Sequence, residues 1–316
     1  MDDVTDMPFR SLCKSFGADW LISEFIAAEG INHEAEKSFR KMQFDESQRP
    51  IGIQIFGADE MSLLQCLDSV AERHPDFIDI NWGCPVRKVA GRGAGSGILR
   101  EPDKMVRLTD AVVRHATCPV TVKTRLGYDE HDKPIVTLAE RLQDVGVAVL
   151  SIHGRTKSQM YQGQADWTLI GAVKSNPRMH IPVLGNGDIT RAEQVCELRS
   201  HYGVDGVLIG RGAIGNPWIF EQAQRLLRGE PARPVPVTER VAVCRRHLLA
   251  AVAFKGERTA IFEMRKHYAA YFRSLPSFKP FRISLVTLDS LDGILATLDR
   301  ITQYYGNAVV SNPSEV

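Results

Sequence analysis

The stretch Gly206-Val207-Leu208-Ile209-Gly210-Arg211-Gly212 joins a strand that is apolar on both faces to a glycine turn that carries an arginine. Such a strand is typical of a parallel sheet that helices cover on both sides. Further runs have the same strand character, and helix-like segments separate them; they lie at residues 20–25, 51–56, 77–81, 120–124, 148–153 and 181–184. This alternation predicts a parallel α/β fold, either a doubly wound sheet or a (β/α)8 barrel.

Polar side chains at the carboxyl ends of these strands distinguish the two folds. A barrel collects its active-site residues there, whereas a doubly wound sheet concentrates them at one switch point and usually has a G-x-G-x-x-G turn, which is absent here. Polar groups follow nearly every strand, namely Glu24, Gln54, Asn81, Cys84, Lys123, Arg125, His153, Arg155, Asn186, Asp188 and Arg211. We predict a TIM (β/α)8 barrel that lacks its first strand in this chain, because seven strands are visible where eight are needed.

The composition limits the possible classes of protein. The chain has 316 residues, of which 44% are hydrophobic and 24% charged, so it is long and apolar enough to bury a large core. The cysteines are far apart and form no C-x-x-C pair, which argues against zinc and iron–sulfur sites. Neither a signal peptide nor an apolar run of roughly 18 residues is visible. We expect a soluble cytoplasmic protein with neither a metal nor a membrane attachment.

The pattern of elements changes near residue 230. A proline-rich connector occupies residues 229–236, and the apolar spacing beyond it is helical. We therefore predict a barrel domain at residues 1–230 and a small helical domain at residues 235–316. The formal net charge of the chain is only +1, but the predicted helical domain has eleven Lys and Arg against seven Asp and Glu. On a helix, one arc would carry Arg258, Arg265, Lys266 and Arg273, as either a solvated face or a footprint for RNA.

Two features follow the strand at residues 77–81. The sequence Asn81-Trp82-Gly83-Cys84-Pro85 would hold the Cys84 thiol above the barrel mouth, as either a catalytic group or a small buried hydrophobe. Residues 86–97 then contain four glycines and the basic residues Arg87, Lys88 and Arg92. We expect a flexible loop that is suited to a phosphate backbone, or else a solvated loop with incidental charge.

Groups at the later strand ends indicate an anionic ligand. Lys123 would point into the barrel, where it must meet either a ligand anion or a structural carboxylate. His153 either packs in the core or lines the mouth. Gly185-Asn186-Gly187-Asp188 and Gly210-Arg211-Gly212 follow the last two strands, where barrels commonly bind phosphate. This pair of loops predicts a cofactor that carries a phosphate.

These residues together resemble the tRNA-dihydrouridine synthase family, and most closely its bacterial B-type branch. The resemblance runs from Met1 to about Leu275. Its carriers are Met1 with Asp3-Val4-Thr5-Asp6, Gln54, Asn81-Trp82-Gly83-Cys84-Pro85, Val122-Lys123-Thr124-Arg125, Ile152-His153-Gly154-Arg155-Thr156, Asn186-Gly187-Asp188-Ile189, Ile209-Gly210-Arg211-Gly212 and Met264-Arg265-Lys266-His267-Tyr268. Members of this family have an apolar strand before the position of Met1, so the resemblance leads us to expect weakened FMN retention in this chain.

The resemblance implies a monomeric enzyme that binds FMN, uses NADPH, and reduces the C5–C6 double bond of tRNA uridines to dihydrouridine. Cys84 would be the general acid that protonates C5 while the reduced flavin delivers hydride to C6. The implied cofactor-binding residues are Met1, Asp2, Gln54, Lys123, His153, Asn186, Gly187, Asp188, Gly210 and Arg211. The implied substrate-binding residues are Asn81, Arg87, Lys88, Arg92, Arg155, Arg258, Arg265, Lys266 and Arg273.

Three other interpretations remain open from the sequence. The first is an FMN barrel oxidoreductase that acts on a small molecule, which would not need a basic helical domain. The second is a non-catalytic tRNA-binding protein on a degenerate barrel, which would bind RNA with a strong salt dependence and carry no flavin. The third is an aldolase that forms a Schiff base through Lys123.

Overall fold

The computed structural model describes residues 1–309, which fall into two compact units. The first unit contains Met1–Asp6 and Asp19–Arg211. The second contains Met7–Ala18 and the chain from Gly212 onward. This division differs from the sequence-based boundary at residues 230–235, because helices on both sides of that connector and one near the start of the chain belong to the second unit.

The first unit is built on one parallel sheet. Its strands are β1 (Leu21–Ile22), β2 (Ile26–Ala27), β3 (Ile51–Phe56), β4 (Phe77–Asn81), β5 (Val120–Arg125), β6 (Val149–His153), β7 (Val183–Asn186) and β8 (Gly206–Leu208). The hydrogen-bonded order is β1-β3-β4-β5-β6-β7-β8, and β2 also pairs with β3. Each neighbouring pair is parallel, and among residues 1–309 no pairing joins β8 to β1. The curled sheet is therefore a partial barrel, which confirms the predicted α/β barrel class.

The first predicted strand, at residues 20–25, differs from the expectation, because it is shortened to β1 and a second short strand, β2, follows it at Ile26–Ala27. The Ser23 hydroxyl lies between them and accepts the backbone N–H of Gln54 at 2.9 Å, while it donates to the Glu24 carbonyl at 2.8 Å. A side chain thus takes a place in the hydrogen-bond ladder that a backbone carbonyl would otherwise fill. Because the Ser23 hydroxyl replaces a backbone carbonyl here, the strand is interrupted but the Gln54 N–H keeps a hydrogen-bond partner.

Helices cover the sheet and form the second unit. In chain order they are α1 (Met7–Ser15), α2 (Ala28–Asn32), α3 (Glu36–Met42), α4 (Glu60–Ala71), α5 (Arg87–Ala90), α6 (Pro102–His115), α7 (Ile135–Asp144), α8 (Thr168–Ser175), α9 (Glu193–Tyr202), α10 (Ile219–Leu227), α11 (Val237–Lys255), α12 (Glu257–Tyr271), α13 (Lys279–Thr287) and α14 (Leu291–Tyr305). Short 3-10 helices lie at Glu46–Gln48, Gly95–Arg100 and Arg211–Ala213. Within residues 1–309, no helix has both the length and the apolar composition that a membrane span requires.

Local sequence signals explain several helix ends. Asp59 accepts the backbone N–H of Ser62 and so caps the start of α4, and Pro102 begins α6 where a missing N–H costs nothing. Gly203, with a φ of 66°, ends α9 in the left-handed conformation. These signals place α4, α6 and α9 between the strands, as the alternating pattern predicted.

The core of the second unit is formed by α1 and α11 to α14, together with Trp218 just before α10. Tyr268 and Tyr271 of α12 are fully buried in it, together with Leu248 of α11 and Leu298 of α14. Leu12 of α1 joins the same cluster. A contact between residue 12 and helices more than 200 positions away explains why residues 7–18 belong to this unit, a grouping that the connector alone did not reveal.

The glycine-rich segment after Cys84 is folded into short helices and so is not the irregular loop that the sequence predicted. It contains α5 and the 3-10 helix at Gly95–Arg100. A side chain on Gly95 would lie 2.8 Å from the Cys84 carbonyl oxygen, and one on Gly97 would overlap the Ala90 carbonyl oxygen. The glycines therefore allow backbone segments to pack closely, and this close packing needs an absent Cβ rather than mobility.

We expect Gly97→Ala to destabilise the first unit by about 1–3 kcal/mol, because the new methyl group would overlap backbone that cannot rotate away. The measurement is the free energy of unfolding in denaturant. Lys88→Ala, at an exposed position on the neighbouring α5, is the matched control and should change stability little. Equal stabilities for the two variants would contradict the packing role of Gly97.

Candidate active site

The parallel register brings the predicted mouth residues to one edge of the sheet. Asn81 pairs with Lys123, Arg125 with His153, and His153 with Asn186. Gln54 lies on β3, beside Asp79 of β4. Because the strands are parallel, their carboxyl ends meet at the same edge, so residues from positions 54 to 186 of the chain form one site.

The turn that carries Cys84 is held by side-chain hydrogen bonds. Asn81 Oδ1 accepts the backbone N–H groups of Gly83 at 3.0 Å and Cys84 at 2.9 Å. Arg125 Nε donates to the Gly83 carbonyl at 2.7 Å, and Ser96 donates to the Cys84 carbonyl through its backbone N–H at 3.0 Å and its hydroxyl at 2.9 Å. The backbone around the thiol is therefore fixed from three directions.

Burial keeps the Cys84 thiol protonated. The residue is 7% exposed, and this burial raises the pKa of the thiol above its ordinary value although Arg125 and Lys123 oppose the shift. A protonated thiol is a possible proton donor and a poor nucleophile. The arrangement favours an acid role for Cys84 over a role that needs a thiolate.

Lys123 is the cation inside the mouth that the sequence predicted. Burial, helped by the nearby Arg125, lowers its pKa to about 8, although Asp79 acts in the opposite direction. Within residues 1–309, no hydrogen bond or ion pair is formed by its ammonium group. A structural carboxylate therefore does not neutralise it by direct contact, and an anionic ligand fits this position.

His153 is neutral over the ordinary pH range. Burial lowers its pKa to about 2, and the positive charges of Lys123, Arg125, Arg155 and Arg211 add to the effect. The Nη1 group of Arg155 lies 3.3 Å from His153 Nε2. Because a guanidinium group only donates hydrogen bonds, Nε2 is the acceptor and the ring proton lies on Nδ1.

The buried Arg155 forms an ion pair with the partly exposed Asp188 beside His153. Arg155 is 2% exposed and donates to both Asp188 carboxylate oxygens, at 2.9 and 2.7 Å, and to the carbonyls of Gln162 at 3.1 Å and Gly163 at 2.6 Å. Burial alone would raise the pKa of Asp188, but the Arg155 hydrogen bond holds it below its usual value. The pair orders the loop after β6, and the predicted contact of Arg155 with substrate stays a prediction.

The two glycine loops lie next to each other, as the pairing of β7 with β8 requires. Asn186 Nδ2 donates to the Leu208 carbonyl at 2.6 Å, and Gly187 has a φ of 133° that favours glycine. A Cβ on Gly210 would lie 3.6 Å from Met1 Sδ, so the loop is not filled by other backbone. Arg211 has a side chain that is 54% exposed and lies 3.4 Å from Asp188. This open, donor-rich corner fits a phosphate.

Asp2 lies in a group of carboxylates that lysines partly neutralise. Ligand atoms of Asp2, Asp3 and Glu24 lie within 4.8 Å of one another. Lys41 forms an ion pair with Asp2 and lies 4.0 Å from Glu24, and Lys37 lies 3.8 Å from Asp3. The predicted contact of Asp2 with a cofactor stays a prediction.

Sequence reasoning missed Tyr161, which is half exposed near the mouth. Its ring centre is 4.8 Å from the Arg211 guanidinium, 5.6 Å from that of Arg125 and 6.5 Å from the His153 ring. An exposed aromatic ring among cations can stack on a planar ligand. No periodic pattern pointed to it, because Tyr161 lies in an irregular turn after β6.

Most of the predicted RNA-binding cations are exposed. Arg87, Lys88 and Arg92 lie at the surface of the first unit. In the second unit, Arg258 and Lys266 are exposed on α12, and Arg273 is exposed just after that helix. Arg265 differs from them, because its guanidinium lies 4.3 Å from the Phe262 ring and donates to the Leu288 carbonyl at 3.3 Å.

We expect acid to destabilise the protein through His153. Its folded pKa is about 2, whereas an unfolded histidine titrates near pH 6.5, so the unfolded chain binds the proton first as the pH falls. The free energy of unfolding should therefore fall by about 1.4 kcal/mol for each pH unit below 6.5 through this residue. Denaturant unfolding at pH 7.5, 6 and 5 should give a flatter curve for His153→Gln. The exposed His131 supplies the control His131→Gln, and parallel curves for parent and His153→Gln would refute the assignment.

Comparisons with known proteins agree with this geometry. A likeness to a solved histamine dehydrogenase from Rhizobium sp. 4-9, with a TM-score of 0.51 at 10% identity, covers 79% of this chain and supports the barrel fold alone. The chain spans about half of that structure, 47% of its length.

The sequence relatives are closer. The chain is 36% identical over 301 residues to the tRNA-dihydrouridine synthase B of Pseudomonas aeruginosa, covering 94% of this chain and 90% of that protein. It is 34% identical over 308 residues to the protein of the same name from Vibrio cholerae, covering 97% and 94%. Residues 1–304 match the family described as Dihydrouridine synthase (Dus). The resemblance identified from the motifs is confirmed, and the chain belongs to the dihydrouridine synthase family.

Proposed function

We propose that this protein reduces uridines of tRNA to dihydrouridine, with FMN as its cofactor and NADPH as the reductant. The observation that carries the proposal is the juxtaposition of a protonated, fixed Cys84 with an unpaired Lys123 at one strand edge. Membership of the dihydrouridine synthase family and the names of the relatives support the choice of tRNA.

The donor set of the mouth fits FMN. Lys123 would lie against the anionic form of the isoalloxazine, and Gln54 would donate to it from its side-chain amide. The glycine corner around Gly187 and Gly210, with Arg211 beside it, would hold the phosphate. Bound there, FMN would supply the hydride chemistry that no amino-acid side chain provides.

The side chains of this site divide the remaining tasks between them. Cys84 holds the proton that a carbanion-like carbon of the substrate needs, because burial keeps the thiol protonated. The neutral His153 presents an N–H at Nδ1, which suits a uracil carbonyl better than a phosphate. Tyr161 offers an exposed ring on which a base can stack. A uridine must leave its stack to reach such a buried thiol.

The exposed cations supply a different kind of binding. Arg258 and Lys266 on α12, and Arg273 just after it, are exposed, and we propose that the helical unit around them contacts the tRNA backbone. Contacts of this kind position an RNA without reading its sequence. We propose the FMN role for the barrel unit and the tRNA role for the helical unit.

We expect Cys84→Ala to lower dihydrouridine formation at least a hundredfold, in line with the loss of a general acid, while FMN binding and NADPH oxidation persist. The measurements are the visible spectrum of the purified protein after addition and removal of excess FMN, NADPH consumption, and dihydrouridine content of unmodified tRNA. Cys118→Ala, at a partly exposed cysteine before β5, is the matched control. Unchanged product yield in Cys84→Ala would remove Cys84 from the acid role, and a protein that refuses FMN would favour the non-catalytic interpretation.

We expect the triple variant Arg258→Ala/Lys266→Ala/Arg273→Ala to weaken tRNA binding and to reduce the slope of log K against log salt by up to about one unit for each lost phosphate contact. Filter binding or fluorescence anisotropy at several salt concentrations measures both effects. A charge-matched control removes exposed arginines of α6 and α9 instead, as Arg107→Ala/Arg114→Ala/Arg199→Ala. Equal salt slopes for the two triple variants would exclude α12 as the RNA surface.

A further inference from the structure

A continuous series of hydrogen bonds links the bottom of the mouth to the Cys84 turn. Thr121 Oγ1 donates to Asp79 Oδ1 at 2.5 Å, and Gln54 Nε2 donates to Asp79 Oδ2 at 2.6 Å. Asn81 Nδ2 then donates to Gln54 Oε1 at 2.8 Å. Asn81 Oδ1 accepts the two backbone N–H groups of the turn, that of Cys84 at 2.9 Å.

The direction of every bond in this series is fixed from both ends. At the turn, two backbone N–H groups can only donate, so the Asn81 oxygen must face them and its NH2 group must face Gln54. The Gln54 oxygen must then face Asn81, and its NH2 group must face residue 79. At that end, a carboxylate with Thr121 on its other oxygen supplies the acceptor that this direction requires.

Asp79 therefore supplies the hydrogen-bond acceptor that the end of this series requires. It is fully buried, and burial raises its pKa to about 6, while the Thr121 and Gln54 hydrogen bonds oppose the rise. A carboxylate in such a place destabilises the fold unless its hydrogen bonds compensate. The free-energy cost of burying this carboxylate, and its connection to the Cys84 turn through hydrogen bonds, both point to a role exercised through Gln54 and Asn81.

We propose that Asp79 is a positioning residue that sets the orientation of the Gln54 and Asn81 amides and thereby fixes the Cys84 turn. Its importance for the reaction rests on the proposed role of Cys84. A second consequence concerns ligands, because each of the two amide NH2 groups makes only one of its two possible hydrogen bonds among the described residues. The network therefore presents N–H donors to the mouth and selects ligand groups that accept, such as carbonyl oxygens, over groups that donate.

The proposal predicts how substitutions at position 79 differ. Asp79→Asn keeps an acceptor for Gln54 and turns its NH2 group toward the Thr121 hydroxyl, which can accept. Asp79→Leu keeps the branched shape, with methyl groups larger than the carboxylate oxygens, but it has no acceptor, so the Gln54 amide loses its fixed direction. We expect Cys84 to react with iodoacetamide at least tenfold faster in Asp79→Leu than in the parent, and within threefold of the parent in Asp79→Asn.

Variants that reverse the direction of the hydrogen bonds between residues 79, 54 and 81 give a sharper test. While both carboxyl groups are ionised, the new carboxylate of Asn81→Asp accepts from the turn but cannot donate to Gln54, so Gln54 must turn its oxygen toward the Asp79 carboxylate. Asp79→Asn/Asn81→Asp supplies an NH2 group at position 79 and restores a consistent direction. We expect fast alkylation of Cys84 in Asn81→Asp and near-parent alkylation in that double variant.

The matched control separates hydrogen-bond direction from charge. Asp79→Leu/Asn81→Asp also removes the repulsion between two carboxylates, but it gives the Gln54 oxygen no donor, so Cys84 should remain fast to react. Mass spectrometry follows Cys84 in the full chain, with the partly exposed Cys118 and Cys196 as internal references. The proposal is overturned if both double variants restore slow alkylation, if neither does, or if all three cysteines change together.

Folding failure and failure of the proposed function have separate signatures. If Asn81→Asp does not fold, the single variants Asp79→Asn and Asp79→Leu still decide the question, because equal Cys84 reactivity in both would refute the role of the acceptor. Alkylation needs neither FMN, NADPH nor tRNA. A positive result therefore stands even if the protein forms no dihydrouridine, and a negative result leaves the proposed reaction intact.

Discussion

Polar groups that are buried away from water must find partners, and this constraint governs the interior of the sheet. The carboxyl ends of the strands carry amides, hydroxyls and charges that an apolar core could not contain. Asp79 is compatible with burial only because Thr121 and Gln54 donate to it. Arg155 is compatible with burial only because Asp188 and loop carbonyls accept from it. Satisfied networks of this kind also hold their members rigid, which prepares the site before a ligand arrives.

The same constraint determines which charges remain for a ligand. Arg125 and Arg155 are more than nine-tenths buried, and backbone carbonyls or Asp188 accept from their guanidinium groups. His153 avoids a further positive charge by remaining neutral. Lys123 and the exposed side of Arg211 are then the cations available at the mouth. One lies within the barrel and the other at the glycine corner, and the proposed cofactor would need a cation at each place, one for its polar ring and one for its phosphate.

Sequence reasoning predicted the features for which the local pattern of apolar and polar residues follows directly from which side chains are buried. Apolar runs predicted the strands, and polar residues at their ends predicted the mouth, since both follow from a parallel sheet. It failed where distant segments decide the structure: residues 7–18 join helices of the other end of the chain, and Gly95 and Gly97 serve close packing. Asp79 carried a signal that was overlooked, because it stands two residues before Asn81 on the same face of an apolar strand.

Two kinds of recognition are thus built into different parts of the chain. Short hydrogen bonds from fixed donors at the mouth depend on geometry to a few tenths of an ångström, and salt screens them little because they are buried. In the proposed function, the exposed cations Arg258 and Lys266 of α12 would act through counterion release, which salt weakens strongly. Affinity for a long polyanion would then vary with ionic strength while the choice of the reacting group would not. Selection of a carbonyl-bearing base would depend on the direction of the Gln54 and Asn81 amides, and through them on the Asp79 carboxylate.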